Sequence, residues 1–163
     1  MSDSGAANAP RPGPGHQALA PFVGRWRTAG RVLESGSGPA LEIAGVDEYE
    51  WLPGGFFLLH RVDVRMGGER AQALEIIGYD AGRRGYFMRS FDDQGNAGEM
   101  QARVSDDGTW TFEGDAERFR GGFGDGGDTL SGRWERREGD RWLPWMDVRL
   151  TRERPSSDPA GGR

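Results

Sequence analysis

The chain has 163 residues, a length that fits one domain with its own hydrophobic core and leaves little room for a second. It contains no Cys, which excludes disulfides, thiolate metal sites and Cys nucleophiles. Its formal net charge of -5 disfavours an electrostatic grip on nucleic-acid phosphates or anionic membranes, and we expect neither as a partner.

The sequence also offers few metal ligands and no segment that could span a membrane. The two histidines are His16 and His60, so one chain cannot build a multi-histidine metal site, and we expect no cofactor. No run approaches the ~18 apolar residues of a membrane span, and the N-terminus lacks an apolar signal core. A cytoplasmic location is therefore the default expectation, and a homodimer is compatible with the sequence.

The N-terminal residues 1–16 are rich in Pro and Gly, as are residues 154–163, and we expect both ends to be disordered. A domain is predicted between them, over residues 17–153. Residues 17–21 are compatible with a single helical turn that plugs one end of this domain, since Pro21 would end it early.

Ten short runs with strand periodicity follow, each closed by a Gly, Asp or Pro cluster. The first places Trp26 on its inner face, and the third places His60 among apolar residues. The predicted strands cover residues 22–34, 42–52, 56–66, 69–79, 85–91, 97–104, 109–113, 118–123, 129–136 and 142–151.

Every connection between these runs has hairpin length, and no segment has the length of a crossover helix. The pattern predicts an all-β fold, a single antiparallel up-and-down barrel of about ten strands. Barrels of eight or more strands can enclose a small ligand, so we expect the function to depend on what the interior holds.

Four short motifs resemble those of a lipocalin-like (calycin) family, the domain of unknown function 1579. They are FVGRW at 22–26, YEWLPGGFF at 49–57, IGYD at 77–80 and GRW at 132–134. The resemblance implies a β-barrel with a ligand cavity and no known reaction. A more distant similarity is to nitrobindin-type barrels, which bind haem through a histidine late in the chain. Here no His follows His60, so haem binding would have to recruit His60 from a different strand.

His60 is the strongest single candidate for chemistry, because imidazole can shuttle protons near neutral pH. The alternative is a core histidine that is hydrogen-bonded to a neighbouring carboxylate or carbonyl. Both interpretations stay open at this point. No nucleophile motif, phosphate loop or dinucleotide fingerprint is present.

Aromatic and charged side chains within the strands complete the candidate set. Several aromatic residues could line a cavity or fill the core, and charged residues in strands could face either side. Arg89 is the preferred charged candidate because it shares a face with Phe87 and Phe91, which suggests the inner one. The other charged candidates are Glu48, Glu50, Glu75 and Asp147, and the predicted ligand-binding residues are Trp26, Tyr49, Trp51, His60, Glu75, Arg89, Trp110, Trp134 and Trp145.

The leading hypothesis is a protein that holds a small apolar or aromatic molecule inside the barrel. A first alternative is an isomerase or cyclase acting on a hydrophobic metabolite, in which His60 moves protons and an inward carboxylate or Arg89 orients the substrate. A second is haem binding. A further class is a fully packed barrel whose surface serves protein association.

Overall fold

A computed structural model describes residues 9–154, and it is a closed barrel of ten antiparallel strands. Neighbours in sequence are neighbours in the sheet, and the first strand pairs with the last to close the barrel. The predicted fold class and meander order are confirmed. The strands are β1 Gly24–Val32, β2 Leu41–Trp51, β3 Phe57–Met66, β4 Glu69–Asp80, β5 Gly85–Asp92, β6 Ala97–Val104, β7 Trp110–Glu113, β8 Glu117–Gly124, β9 Thr129–Glu138 and β10 Arg141–Arg152.

The hairpin between β3 and β4 sets the register that matters most for the interior. Its turn is Gly67-Gly68, with φ of 58° and 97°, a left-handed conformation that glycine adopts without steric cost. Met66 therefore pairs with Glu69, and the same register places His60 opposite Glu75. A two-residue turn thus fixes which side chains become neighbours six residues away.

One end of the barrel is covered by a short helix, α1 Pro14–Gln17, and a 3-10 turn, Ala20–Phe22. Leu19 and Phe22 insert beneath this cover and are 0% and 1% exposed. The hydroxyl of Tyr86 donates to the carbonyl of Gly15 at 2.7 Å, which ties the cover to the barrel wall. The expected plug exists, although its helical turn begins three residues earlier than predicted.

The predicted disordered ends fall mostly outside the described residues. Residues 1–8 of the predicted leader and 155–163 of the predicted tail are not described, so the predicted domain boundaries stay predictions. Within the described part of the leader, His16 packs edge-on against Phe56 and Tyr79, with ring centroids 5.2 and 5.3 Å apart. A second 3-10 turn, Asp125–Gly127, follows β8. None of the three helical segments within residues 9–154 has the length or apolarity to cross a bilayer.

The interior contains two hydrophobic clusters. The larger lies under the cover and contains Phe22, Trp110 and Phe112, with ring centroids 5.1 to 6.3 Å apart. The smaller consists of Ile43, Val64 and Met146. Because Met146 pairs with Val32 at the end of β1, this cluster lies toward the opposite end of the barrel. Side chains from both clusters line an internal cavity.

Candidate ligand cavity

A cavity of about 200 Å³ lies inside the barrel. Most of its wall is apolar and comes from strands all around the barrel. The polar side chains are confined to four neighbouring strands, β1 to β4. The lining residues are Phe22, Thr28, Ile43, Asp47, Tyr49, His60, Val62, Val64, Met66, Ala73, Glu75, Ile77, Met88, Phe112, Phe119, Leu130, Trp134, Met146, Val148 and Leu150.

The polar group on this wall, which we call the His60 cluster, consists of Thr28, Asp47, Tyr49, His60 and Glu75. Strand register assembles it: Tyr49 of β2 and Glu75 of β4 are the direct cross-strand partners of His60 on β3. Asp47 lies two residues before Tyr49 and shares its face, since side chains alternate along a strand. Thr28 is contributed by β1, which pairs with β2.

Both ring nitrogens of His60 face carboxylate oxygens. Nε2 lies 2.6 Å from Oδ1 of Asp47, and Nδ1 lies 2.5 Å from Oε1 of Glu75. A neutral imidazole has one N–H and one lone pair, and a lone pair would face a carboxylate unfavourably. The arrangement therefore suits the imidazolium form, in which both nitrogens are donors. The ring of Tyr49 stacks on that of His60 at 3.8 Å with a 9° interplanar angle.

The electrostatics of the cluster agree with this protonation state. Burial has the largest single effect on the pKa of His60 and lowers it, but Glu75 and Asp47 together outweigh burial and raise the pKa to about 9. Burial likewise raises the pKa of Tyr49 well above its ordinary value, and the two carboxylates add to this. At neutral pH the imidazole is thus charged and the phenol neutral.

The two carboxylates differ in how completely they are hydrogen-bonded. Asp47 uses both oxygens, because Oδ2 accepts a hydrogen bond from the hydroxyl of Thr28 while Oδ1 faces His60. Within residues 9–154, the second oxygen of Glu75 and the hydroxyl of Tyr49 have no hydrogen-bond partner. No fully buried side-chain N or O atom lacks a partner in the same part of the chain, so these two atoms border open space. Both residues line the cavity.

Four of the predicted ligand-binding residues lie on the cavity wall: Tyr49, His60, Glu75 and Trp134. The structure also resolves which face of β4 points inward, which the sequence left ambiguous. Glu75 and Ile77 line the cavity, and Leu74 lies on the outer face with 37% exposure.

The other predicted tryptophans do not line the cavity. Trp26 is fully buried, donates from Nε1 to the carbonyl of Phe22 at 2.9 Å, and packs its ring under the guanidinium of Arg152. Trp110 and Trp51 pack in or against the larger cluster. Trp145 lies at the bulge in β10, where the Arg136 guanidinium carbon is 3.5 Å from its ring centroid. These four residues support the barrel.

The prediction that Arg89 faces inward is wrong. Tyr86 and Met88 are the buried residues of β5, so Arg89 points outward by the alternation of the strand. Its guanidinium carbon lies 5.8 Å from the ring centroid of Phe87, on the same outer face. The apolar pair that suggested an inner face is itself external, with Phe91 49% exposed.

The remaining charged candidates also lie outside, in ion pairs on the surface. Glu48 contacts Arg25, Glu50 contacts Arg61 and Asp147 contacts Arg133. Sequence reasoning missed Asp47 and Thr28 as site residues. The sequence did carry a signal for both residues, because side chains two positions apart on a strand share a face. Asp47 is two residues before Tyr49, and Thr28 is two residues after Trp26.

The cluster does not fit a haem iron. Both nitrogens of His60 already face carboxylates, so neither is free to ligate a metal. No group of three or more His, Asp or Glu side chains in the described part of the chain is arranged to hold a metal ion. A cavity of about 200 Å³ is also small for a porphyrin.

A closed antiparallel barrel of ten strands with an internal cavity defines a calycin-like protein. The sequence model of one family, described as a protein of unknown function (DUF1579), matches residues 11–122, and the chain belongs to this family. The predicted family resemblance is confirmed over residues 11–122, which contain three of the four motifs, and the more distant similarity to nitrobindin stays a prediction. No curated protein matches the sequence significantly.

Two of the solved structures that match this chain illustrate the shared fold. The crystal structure of Rv2717c from M. tuberculosis is 17% identical, with a TM-score of 0.62 over 87% of this chain and 99% of that one. The S-type phycobiliprotein lyase CPES from Guillardia theta is 11% identical, with a TM-score of 0.59 over 86% of this chain and 93% of that one. At these identities the likeness extends to the fold alone.

Proposed function

We propose that this protein binds a small, largely apolar molecule inside the barrel. The observation that carries the proposal is the cavity of about 200 Å³, whose wall is apolar except for the His60 cluster. Ligand sites typically combine an apolar wall with a few placed polar groups, the first giving affinity and the second orientation. A fully packed barrel that serves only as a surface for partners would not need such a space.

The volume limits the size of the ligand. An engineered apolar cavity of about 150 Å³ holds benzene, whereas sites for drug-sized molecules measure about 300 to 1,000 Å³. A cavity of about 200 Å³ therefore suits a molecule close to one substituted aromatic ring. Trp134 and Tyr49 on the wall would contact such a ring.

Filling the cavity tests the proposal without altering the His60 cluster. Ala73 lies on the wall, and Ala73→Phe places a ring inside the cavity, while Gln72→Phe places the same ring on the outer face of the same strand. We expect toluene, followed by protein-observed NMR, to shift cavity resonances in the wild type and in Gln72→Phe but not in Ala73→Phe. Ala73→Leu replaces Ala73→Phe as the cavity-filling variant if the larger side chain prevents folding. Equal toluene binding by wild type and filled variants would refute the proposal.

The natural ligand can be sought directly. Native mass spectrometry of the protein purified from its own host, together with its absorbance spectrum, would reveal a retained small molecule. A Soret band would support the haem alternative, which the geometry of His60 disfavours. The cytoplasmic location and the homodimer stay predictions.

A second candidate is an enzyme that moves a proton on such a molecule, as an isomerase or cyclase does. It is favoured by a carboxylate on the cavity wall, Glu75, whose one oxygen contacts His60 while the other borders the cavity. In this mechanism Glu75 takes a proton from one atom of the substrate and returns it to another, and the contact with His60 holds the Glu75 side chain in position. Saturable turnover that Glu75→Gln abolishes, with ligand binding retained, would distinguish the enzyme from the carrier.

A further inference from the structure

The charges on the cavity wall do not balance. Asp47 and Glu75 supply two carboxylates, and His60 supplies one positive charge. No Arg is among the residues that line the cavity, because the arginines of neighbouring strands, such as Arg25 and Arg61, lie on the outer face in surface ion pairs. A buried excess of negative charge is unfavourable unless something in the cavity compensates it.

The hydrogen bonds of the cluster indicate where that compensation would act. Each oxygen of Asp47 already has a partner, Thr28 or His60, so Asp47 is less available to a ligand than Glu75 is. Glu75 retains one oxygen without a partner within residues 9–154, beside the cavity. The hydroxyl of Tyr49, a residue that is only 8% exposed, likewise has no partner within residues 9–154. Both groups can accept a hydrogen bond, and only the first carries a charge.

We propose that the ligand is a small apolar amine, bound as its ammonium ion with the nitrogen on the free oxygen of Glu75 and the hydrocarbon body against the apolar wall. This inference rests on the proposed binding function and names the ligand class. An ammonium group on Glu75 donates a hydrogen bond to its second oxygen and neutralises the excess charge. A carboxylic acid of the same size would bring a second uncompensated negative charge into the site, because His60, the one basic residue on the described wall, already faces two carboxylates.

The inference can be tested with four probes of matched size: toluene, benzyl alcohol, benzylamine and benzoate. Their affinities are measured by calorimetry or NMR titration at neutral pH and low salt. Hydrogen bonds between charged groups are roughly twice as strong as neutral ones, so we expect benzylamine to bind about tenfold more tightly than benzyl alcohol. Benzoate should bind at least about 100-fold more weakly than benzylamine.

Two substitutions test whether Glu75 is the group that binds the amine. Glu75→Gln removes the charge and keeps the side-chain shape, and it should abolish the preference for benzylamine over benzyl alcohol. Glu50→Gln makes the same change on the outer face and should leave the preference intact. If Glu75→Gln does not fold, the order of the four affinities in the wild type still tests the amine inference.

Each result has one meaning. Benzoate binding as tightly as benzylamine, or a preference for the amine that survives Glu75→Gln, would overturn the amine inference. Toluene binding as tightly as benzylamine would also overturn the amine inference, but it would support the proposed binding function. If none of the four probes binds to the wild type, the proposed binding function itself fails.

Discussion

His60 should make the stability of this barrel depend on pH in a window where few other groups titrate. In the folded protein, burial lowers the pKa of His60, but Glu75 and Asp47 raise it overall from 6.5 to about 9. The folded state therefore binds a proton more tightly than the unfolded state does. A group of this kind stabilises the fold fully below its unfolded pKa, and the stabilisation is lost as pH rises through the folded value.

The size of the effect follows from the shift. One pKa unit corresponds to about 1.4 kcal/mol, so a shift from 6.5 to about 9 is worth about 3 kcal/mol. We expect the free energy of unfolding to fall by about this amount between pH 6 and pH 9.5. For a single domain this is a substantial part of the total stability.

Urea denaturation at a series of pH values measures the effect. The wild type is compared with His60→Gln, which cannot hold the proton, and with His16→Gln, which changes the histidine of α1 outside the cavity. We expect the pH dependence to persist in His16→Gln and to vanish in His60→Gln. A wild-type stability that stays level from pH 6 to 9.5, or a His60→Gln curve parallel to it, would refute the assignment of an imidazolium at this position.

Three further substitutions test the packing around the site, each by urea denaturation. Thr28→Val removes the donor to Asp47 at nearly constant volume and should lower stability by about 1 to 3 kcal/mol, and no loss would contradict the hydrogen bond. Leu58→Ala empties a fully buried position and should cost about 2 to 5 kcal/mol, clearly more than Leu74→Ala on the outer face. Gly45→Ala should cost about 1 to 3 kcal/mol or prevent folding, because its Cβ would overlap the backbone of β3; wild-type stability would contradict this close approach.

The sequence predicts the barrel well because every strand carries its own signal. Turn residues mark each boundary, and hairpin-length connections leave only meander order available. The contact between His60 and Glu75 was also within reach of the sequence. A two-residue turn at Gly67-Gly68 pairs Met66 with Glu69, and counting back along both strands gives His60 opposite Glu75. Face assignment from hydrophobicity alone left Glu75 ambiguous, whereas register resolves it.

Face assignment fails where the outer surface is apolar. Phe87 and Phe91 flank Arg89 and suggested an inner face, yet both lie outside. The inner face of β5 carries Tyr86 and Met88, which are no more hydrophobic than the outer pair. Alternation shows that residues share a face, but it does not say which face is inside. The cross-strand partners show which face of β5 points inward, because Met88 lies opposite the inward Ile77 of β4.

The location of the His60 cluster also argues for a function. A buried ion pair contributes little stability compared with hydrophobic residues of the same volume, because removing its charges from water is costly. A barrel selected for stability alone would carry apolar side chains at these positions, as it does on the rest of the cavity wall. Here two carboxylates converge on one imidazole, and the excess charge borders the only part of the wall that is polar among the described residues. Unbalanced charge beside a cavity is of use to a ligand or substrate that supplies the missing partner.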